Sequence, residues 1–418
     1  MKSKALMITL ALVATGCRFI PGEGSAIKSI NIIDRAGLSE IISSKERLES
    51  FAKTDFLSPQ PYQKIMRVYG RDKQGDIRSY ITSYHPNGQV KQYLEAKNNR
   101  AMGLYQEWFQ NGQMKIDTHV IGGVADINTS AEESFVFNGL TRAWNEEGQL
   151  VAEILYEKGE LEGLSSYYHP NGALWKMIPY KKGLIDGTVE VYLEEGTIFQ
   201  TTEYKKGKIE GSSKRYWAPL QIAYEECYSS DLLLEGYYYD KEGDLVSRIE
   251  KGEGKRAVFG KQGITQLVEY HAGIADGKVE ILDETTGQLL LFYSIKEEEK
   301  EGEEIAYFGN GRPKLLLTWK EGVLQGPAKT WYENGQIESQ KQMCQNKKNG
   351  LSTAWYPGGT LMLVEEYEND RLIKGKYYRQ DENVPISTIS KGEGVATLFD
   401  TSGHLIRKIT YCDGEPQK

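Results

Sequence analysis

Between Gly148 and Gly172 the chain reads QLVAEILYEKGELEGLSSYYHPNG, and this order of apolar and polar positions returns about every 24 residues. An aliphatic residue stands two places after the turn glycine, as in Val90, Met114, Leu150, Leu174, Ile198, Leu289, Ile337 and Leu361. An aromatic follows at the eighth place (Tyr156, Tyr180, Tyr204, Trp319, Tyr367). A second glycine comes at the fifteenth (Gly103, Gly163, Gly187, Gly211, Gly302, Gly326, Gly350), and another aromatic at the twentieth (Trp108, Tyr168, Tyr192, Tyr216, Tyr307, Trp331, Trp355). Places two and eight share parity, so on a strand both side chains leave one face. The stretch they span is an ordinary strand length, and a turn rich in Gly, Lys and Glu leads to a second strand ending on the last aromatic. A helix would need a 3.6-residue apolar period, and these glycines would break it.

The pattern predicts an all-β fold, an elongated single-layer antiparallel β-hairpin repeat array of about 14 units, mostly 24 residues each. The array is expected over residues 84–410, after a linker and capping segment over 18–83 and before a tail, 411–418. Within 18–83, RAGLSEIISSKERLESF is expected to hold a short helix, and Ser58-Pro59-Gln60-Pro61 reads as a linker. Asparagine–glycine pairs such as Asn87-Gly88, Asn171-Gly172 and Asn334-Gly335 supply hairpin turns needing positive φ. Two turn slots lack the glycine: Asn383 tolerates positive φ, whereas Leu220 does not and marks a degenerate repeat.

Three features break the rhythm. Units 243–263 and 383–403 are shorter, and both carry Lys-Gly-Glu-Gly, at Lys251–Gly254 and Lys391–Gly394. Their spacing points to duplication of a block of about six units. Between Gly112 and Gly148 the extra residues form a long loop at 124–138, a candidate recognition element.

The residue pattern YxxNG, aliphatic, Tyr, GxxxG and final aromatic resembles the MORN-repeat variant of bacterial proteins, often labelled YwqK-type antitoxins. The resemblance covers roughly residues 84–405. It implies a hairpin-repeat fold without shared catalytic residues, and the label implies a toxin as partner.

Composition supports a β architecture. Glycine (44) and tyrosine (27) are abundant while proline is scarce (12), a mixture that fits neither disordered nor collagen-like chains. With 51 basic and 59 acidic residues spread along the chain, the net charge of −8 offers no basic patch for phosphate backbones, and nucleic acid is not an expected partner. Residues 1–17, MKSKALMITLALVATGC, combine two lysines, an apolar run too short to span a bilayer and small residues before Cys17. This order predicts a lipoprotein-type export signal with lipidation at Cys17. The protein would then sit in the bacterial cell envelope on a membrane lipid anchor, a location that suits a cytoplasmic antitoxin badly.

Candidate chemistry is sparse. Cys227, Cys344 and Cys412 show no metal or disulfide spacing and are expected to be free thiols. Asp126, Asn128, Ser130 and Glu132 alternate as in a calcium loop, but Ala131 and Phe137 replace its required Gly and Glu, so a solvated loop is favoured. His85 and His169 share one turn slot and so follow the repeat phase. HExxH, GxSxG and phosphate-loop motifs are absent. The expectation is a non-catalytic scaffold without metal or cofactor that recognises another protein. The alternatives are glycan binding through exposed aromatics and toxin neutralisation.

Overall fold

The structure, a computed structural model, describes residues 26–51 and 54–417. The export segment and Cys17 lie outside the described residues. The chain divides into two compact units: the first runs to Ile198 and includes Tyr204–Gly207, and the second comprises Phe199–Glu203 and everything from Lys208 on.

Each unit is a succession of antiparallel strands paired in chain order, as the hydrophobic alternation predicts. In the reference repeat the strands are Leu150–Glu157, Glu160–Leu161 and Gly163–Tyr168. A two-residue turn joins the first pair, with Lys158 at φ 50° and Gly159 at φ 91°. That is the type I′ signature, whose twist matches a hairpin. The Asn–Gly turn works differently from the sequence expectation. Gly172 takes φ 83° while Asn171 stays out of the positive region and uses its side chain instead. Asn171 Oδ1 accepts the Ala173 N–H at 2.9 Å, and its Nδ2 donates to the Glu194 carbonyl of the next repeat at 3.0 Å. Asn87, Asn111, Asn310 and Asn334 make the same step forward.

The two exceptional turn slots behave opposite to expectation. Leu220 adopts φ 65°, and Asn383 does not enter the positive region; Asp381 does, at φ 63°. Pro219 precedes Leu220, and proline is favoured at the first corner of a type II turn, whose second corner needs positive φ. The Leu220 side chain is 97% exposed, so the conformation meets no packing conflict.

The N-terminal segment is built into the sheet. The strand Ala26–Asp34 pairs with Ser39–Ile42 and Gln63–Arg71, and the ladder continues through Ile77–Tyr84 to Val90–Lys97. The expected helix is Lys45–Phe51. A core of Ile30, Ile42, Phe56, Met66, Val68 and Tyr84 lies beneath it. The Pro-Gln-Pro stretch, read as a linker, is tied down: Gln60 donates its N–H to the Gly88 carbonyl, and Arg35 reaches the Pro61 carbonyl. The C-terminal tail is likewise paired, Tyr411 with Pro416 and Cys412 with Glu415.

The shorter units curl the sheet. In regular repeats each Lys–Gly turn bonds only to the turn before it, as Gly183 N–H does to Leu161 and Gly207 N–H to Ile185. Around Lys251–Gly254 three turns close into a ring. Gly252 N–H donates to Leu234, Gly273 N–H to Gly252, and Leu233 N–H back to Gly273. The pinched sheet wraps a core of Tyr224, Tyr228, Leu233, Tyr238, Ile249 and Phe259. The ring recurs at Gly392, Gly414 and Leu372, around Tyr367, Leu372, Tyr377 and Ile389. A Cβ on Gly252 would lie 2.6 Å from the Gly273 nitrogen, which is why this turn needs glycine.

Candidate functional site

The buried carboxylates of the repeats are engaged by neighbouring side chains. Glu226, its side chain 1% exposed, accepts two bonds from Arg256 (2.6 and 3.1 Å) and one each from Tyr228 and Tyr238 (2.8 and 2.9 Å). Burial, then the Glu226 charge, pushes both phenols far above their ordinary range. Burial opposes the Arg256 charge, but the bonds and charge of Glu226 outweigh it and hold the guanidinium ionised. In the second curl Glu365 accepts from Tyr367 at 2.9 Å and Tyr377 at 2.8 Å, while Ala396 occupies the place of Arg256. Glu304 accepts from Trp319 Nε1 and Lys300. These groups are used as staples, and a satisfied ion pair is no poised general acid or base.

The histidine slot is structural too. His85 Nε2 meets the Trp108 carbonyl and His169 Nε2 the Tyr192 carbonyl, each one repeat ahead. Trp217 Nε1, Tyr332 OH and Tyr356 OH make the equivalent bond to Tyr239, Trp355 and Tyr378.

The two curls also differ around Arg215. In the first, the Arg215 guanidinium carbon lies 4.8 Å from the Phe199 ring centre, 5.6 Å from Trp217 and 5.7 Å from Phe259. Its nitrogens donate to the Phe259 and Gly260 carbonyls at 2.8 and 2.7 Å. In the second, Ala354 stands where Arg215 does, and an open pocket of about 530 Å³ takes the side chain's place. Tyr332, Glu338, Ala354, Trp355, Phe399 and Asp400 contribute to its wall. The counterpart of Phe199 is Glu338, and that of Gly260 is Asp400. The pocket wall thus carries two carboxylates and no basic side chain. Backbone N–H bonds from His404 and Ser402 hold the Asp400 carboxyl below its ordinary range, keeping it charged.

Comparison with known families bears on these repeats. Residues 81–98, 161–182, 324–345 and 392–413 match the MORN repeat variant. The chain carries MORN-variant repeats. The match at 161–182 begins on the short strand Glu160–Leu161, takes in Gly163–Tyr168 and the His-Pro-Asn-Gly turn and ends after Leu174–Lys181, so it contains the His169 and Asn171 side of the staple to the next repeat. The match at 392–413 falls on the second curl. No curated protein matches the chain.

Against this MORN-variant frame the other candidate residues take their places. The loop at 124–138 folds back on the sheet, burying Ile127, Ala131 and Phe135 against Ile81, Leu94 and Tyr105. It contains a short helix, Thr129–Glu132, capped by Asn128. Asp126 pairs with Arg67 at 2.8 Å and Glu132 accepts from Gln92 at 2.6 Å, so its acidic residues anchor the loop. Cys227, Cys344 and Cys412 are unpaired, the first and last exposed. Arg215, Ala354, Glu226 and Glu365 escaped the sequence analysis. Aligning the two blocks, at an offset of 139 up to the short unit and 140 beyond it, would have exposed both Arg-to-Ala differences.

Proposed function

We propose that the protein is a non-catalytic repeat scaffold, held at the bacterial envelope by a lipid on Cys17, whose repeats present a surface to another protein. MORN repeats are associated with protein or membrane binding. The observation carrying this reading is that the buried carboxylates of the repeats, Glu226, Glu304 and Glu365, are consumed in joining strand to strand, which leaves the sheet surface as the working part. Glycan binding by an exposed aromatic ladder has less support, because among the described aromatic residues only Tyr62 and Trp175 are exposed. Metabolic acyl labelling tests the anchor: Cys17→Ser should lose the label and leave the membrane fraction, and a variant that keeps both removes the tether from the proposal. Site-specific photo-crosslinking from exposed strand positions in cells tests the surface. It should trap discrete protein adducts, and crosslinks to glycan alone would favour the alternative.

A further inference from the structure

We propose that the pocket beside Ala354 receives an arginine side chain presented by a partner protein. The proposal rests on the protein-recognition reading above and names its chemistry. The first curl supplies the template within the same chain. There a guanidinium occupies the equivalent position, flanked by aromatic rings and bonded to two consecutive carbonyls. The second curl repeats the ring closure, the buried Glu–Tyr cluster and the phenylalanine, but lacks the arginine. Phe399 and Asp400, the counterparts in sequence of Phe259 and Gly260, both line the pocket, in a turn one residue longer than the template's. The Asp400 carbonyl accepts one bond, from Gly403 N–H, which leaves a lone pair for a second.

The substitutions around the space favour an incoming cation over an internal one. Where the first curl has Phe199 and Gly260, the second has Glu338 and Asp400, so two negative charges replace neutral groups while the positive charge is removed. Such a wall suits a cation from outside the chain. A planar guanidinium fits better than an ammonium, because it stacks on rings while bonding in its own plane. The unbonded edge of Arg215, its Nε, shows that the position tolerates a guanidinium held by its terminal nitrogens alone.

The test uses the full-length protein labelled with ¹³C-methyl methionine and N-acetyl-arginine amide as probe. Met362 lines the pocket, whereas Met66, Met102 and Met114 lie in the first unit and report non-specific effects. We expect saturable movement of the Met362 signal alone, with Kd on the order of 1 mM for a probe this small. The uncharged isostere N-acetyl-citrulline amide should bind at least about tenfold more weakly. Ala354→Arg should fill the space as Arg215 does and abolish the shift. Glu338→Gln should weaken binding severalfold, which keeps the test decisive if Ala354→Arg misfolds. Absence of a shift, equal binding of citrulline, or undiminished binding to Glu338→Gln would overturn the proposal. Loss of probe binding with adducts elsewhere on the sheet would sink the pocket and spare the scaffold. A bound probe on a protein that traps no partner would do the reverse.

Discussion

Arg256→Met should destabilise the first curl and leave the second untouched. The substitution removes two charge-assisted bonds from Glu226 and leaves that carboxylate, 1% exposed, with only the Tyr228 and Tyr238 phenols. Breaking a buried ion pair by removing one partner costs about 3–5 kcal/mol. Two remaining phenol donors offset part of that, since each hydrogen bond to a charged group contributes about 1.5 kcal/mol or more. The Arg256 side chain is also 31% exposed, so water can reach the vacated side. A net loss of about 2–3 kcal/mol follows, equivalent to roughly 30- to 150-fold more frequent local opening. A repeat protein does not unfold in one step, so a melting midpoint would blur the effect. Hydrogen exchange resolved to single strands is the suitable assay. Amides in Gln221–Ser229 and Glu253–Phe259 should exchange faster by that factor, while those in Leu361–Glu368 keep the wild-type rate. Adding Glu226→Gln removes the stranded charge and should recover half the loss or more. A change below about threefold in the single variant would refute the reasoning, because it would mean that the tyrosine-only arrangement of Glu365 suffices in either curl.

The remaining predictions concern the turns, the loop and a titration. Gly252→Ala puts a Cβ where the three-turn ring closes and a side chain at φ 80°, and should cost about 2–4 kcal/mol. Limited proteolysis should then cut near Leu245–Phe259 and spare the Gly392 ring; unchanged resistance would mean that the ring does not hold the curl. Phe135→Ala removes an aromatic that meets Tyr105 edge-on at 5.0 Å and should destabilise the docked loop by about 3 kcal/mol. Protease cleavage within 124–138 reports it, and a loop that stays protected would contradict its packing role. His271 bonds to Glu253 at 2.8 Å, and that bond and charge raise its pKa above the ordinary value. Because the folded value is the higher one, the pair supports its turn at pH below about 6.5 and that support is lost as pH rises through the raised value. Both groups are exposed, so the readout is the NMR titration of the imidazole, whose midpoint should fall in Glu253→Gln.

Much of the fold was legible because strand parity is a local property. The second- and eighth-place side chains had to share a face, and the observed strand Leu150–Glu157 covers both. The duplicated Lys-Gly-Glu-Gly motif was visible as a repeat within the chain, but its role was not. Its first glycine matters because Gly273, some twenty residues on, comes within bonding distance. The loop at 124–138 read from its polar residues as solvated, yet its three buried apolar residues decide its position. Ile127, Ala131 and Phe135 stand four positions apart, a spacing that does not by itself choose between strand and helix, and only the assembled sheet gives them Leu94 and Tyr105 to cover.

Sequence alone determined the repeat length, the two strands in each repeat, the turn glycines and the existence of two related blocks. All of these follow from alternation, turn stereochemistry and counting along the chain. Tertiary structure alone decided where the sheet curls, that Leu220 turns at positive φ behind Pro219, and that Glu226 and Glu365 are buried staples. It also decided that an arginine fills one curl and a pocket stands in the other. The reason is the distance along the chain over which these contacts act. Ala354 and Phe399 stand 45 positions apart and become neighbours only when the ring of turns pinches the sheet, so no local pattern in either segment could announce the space between them.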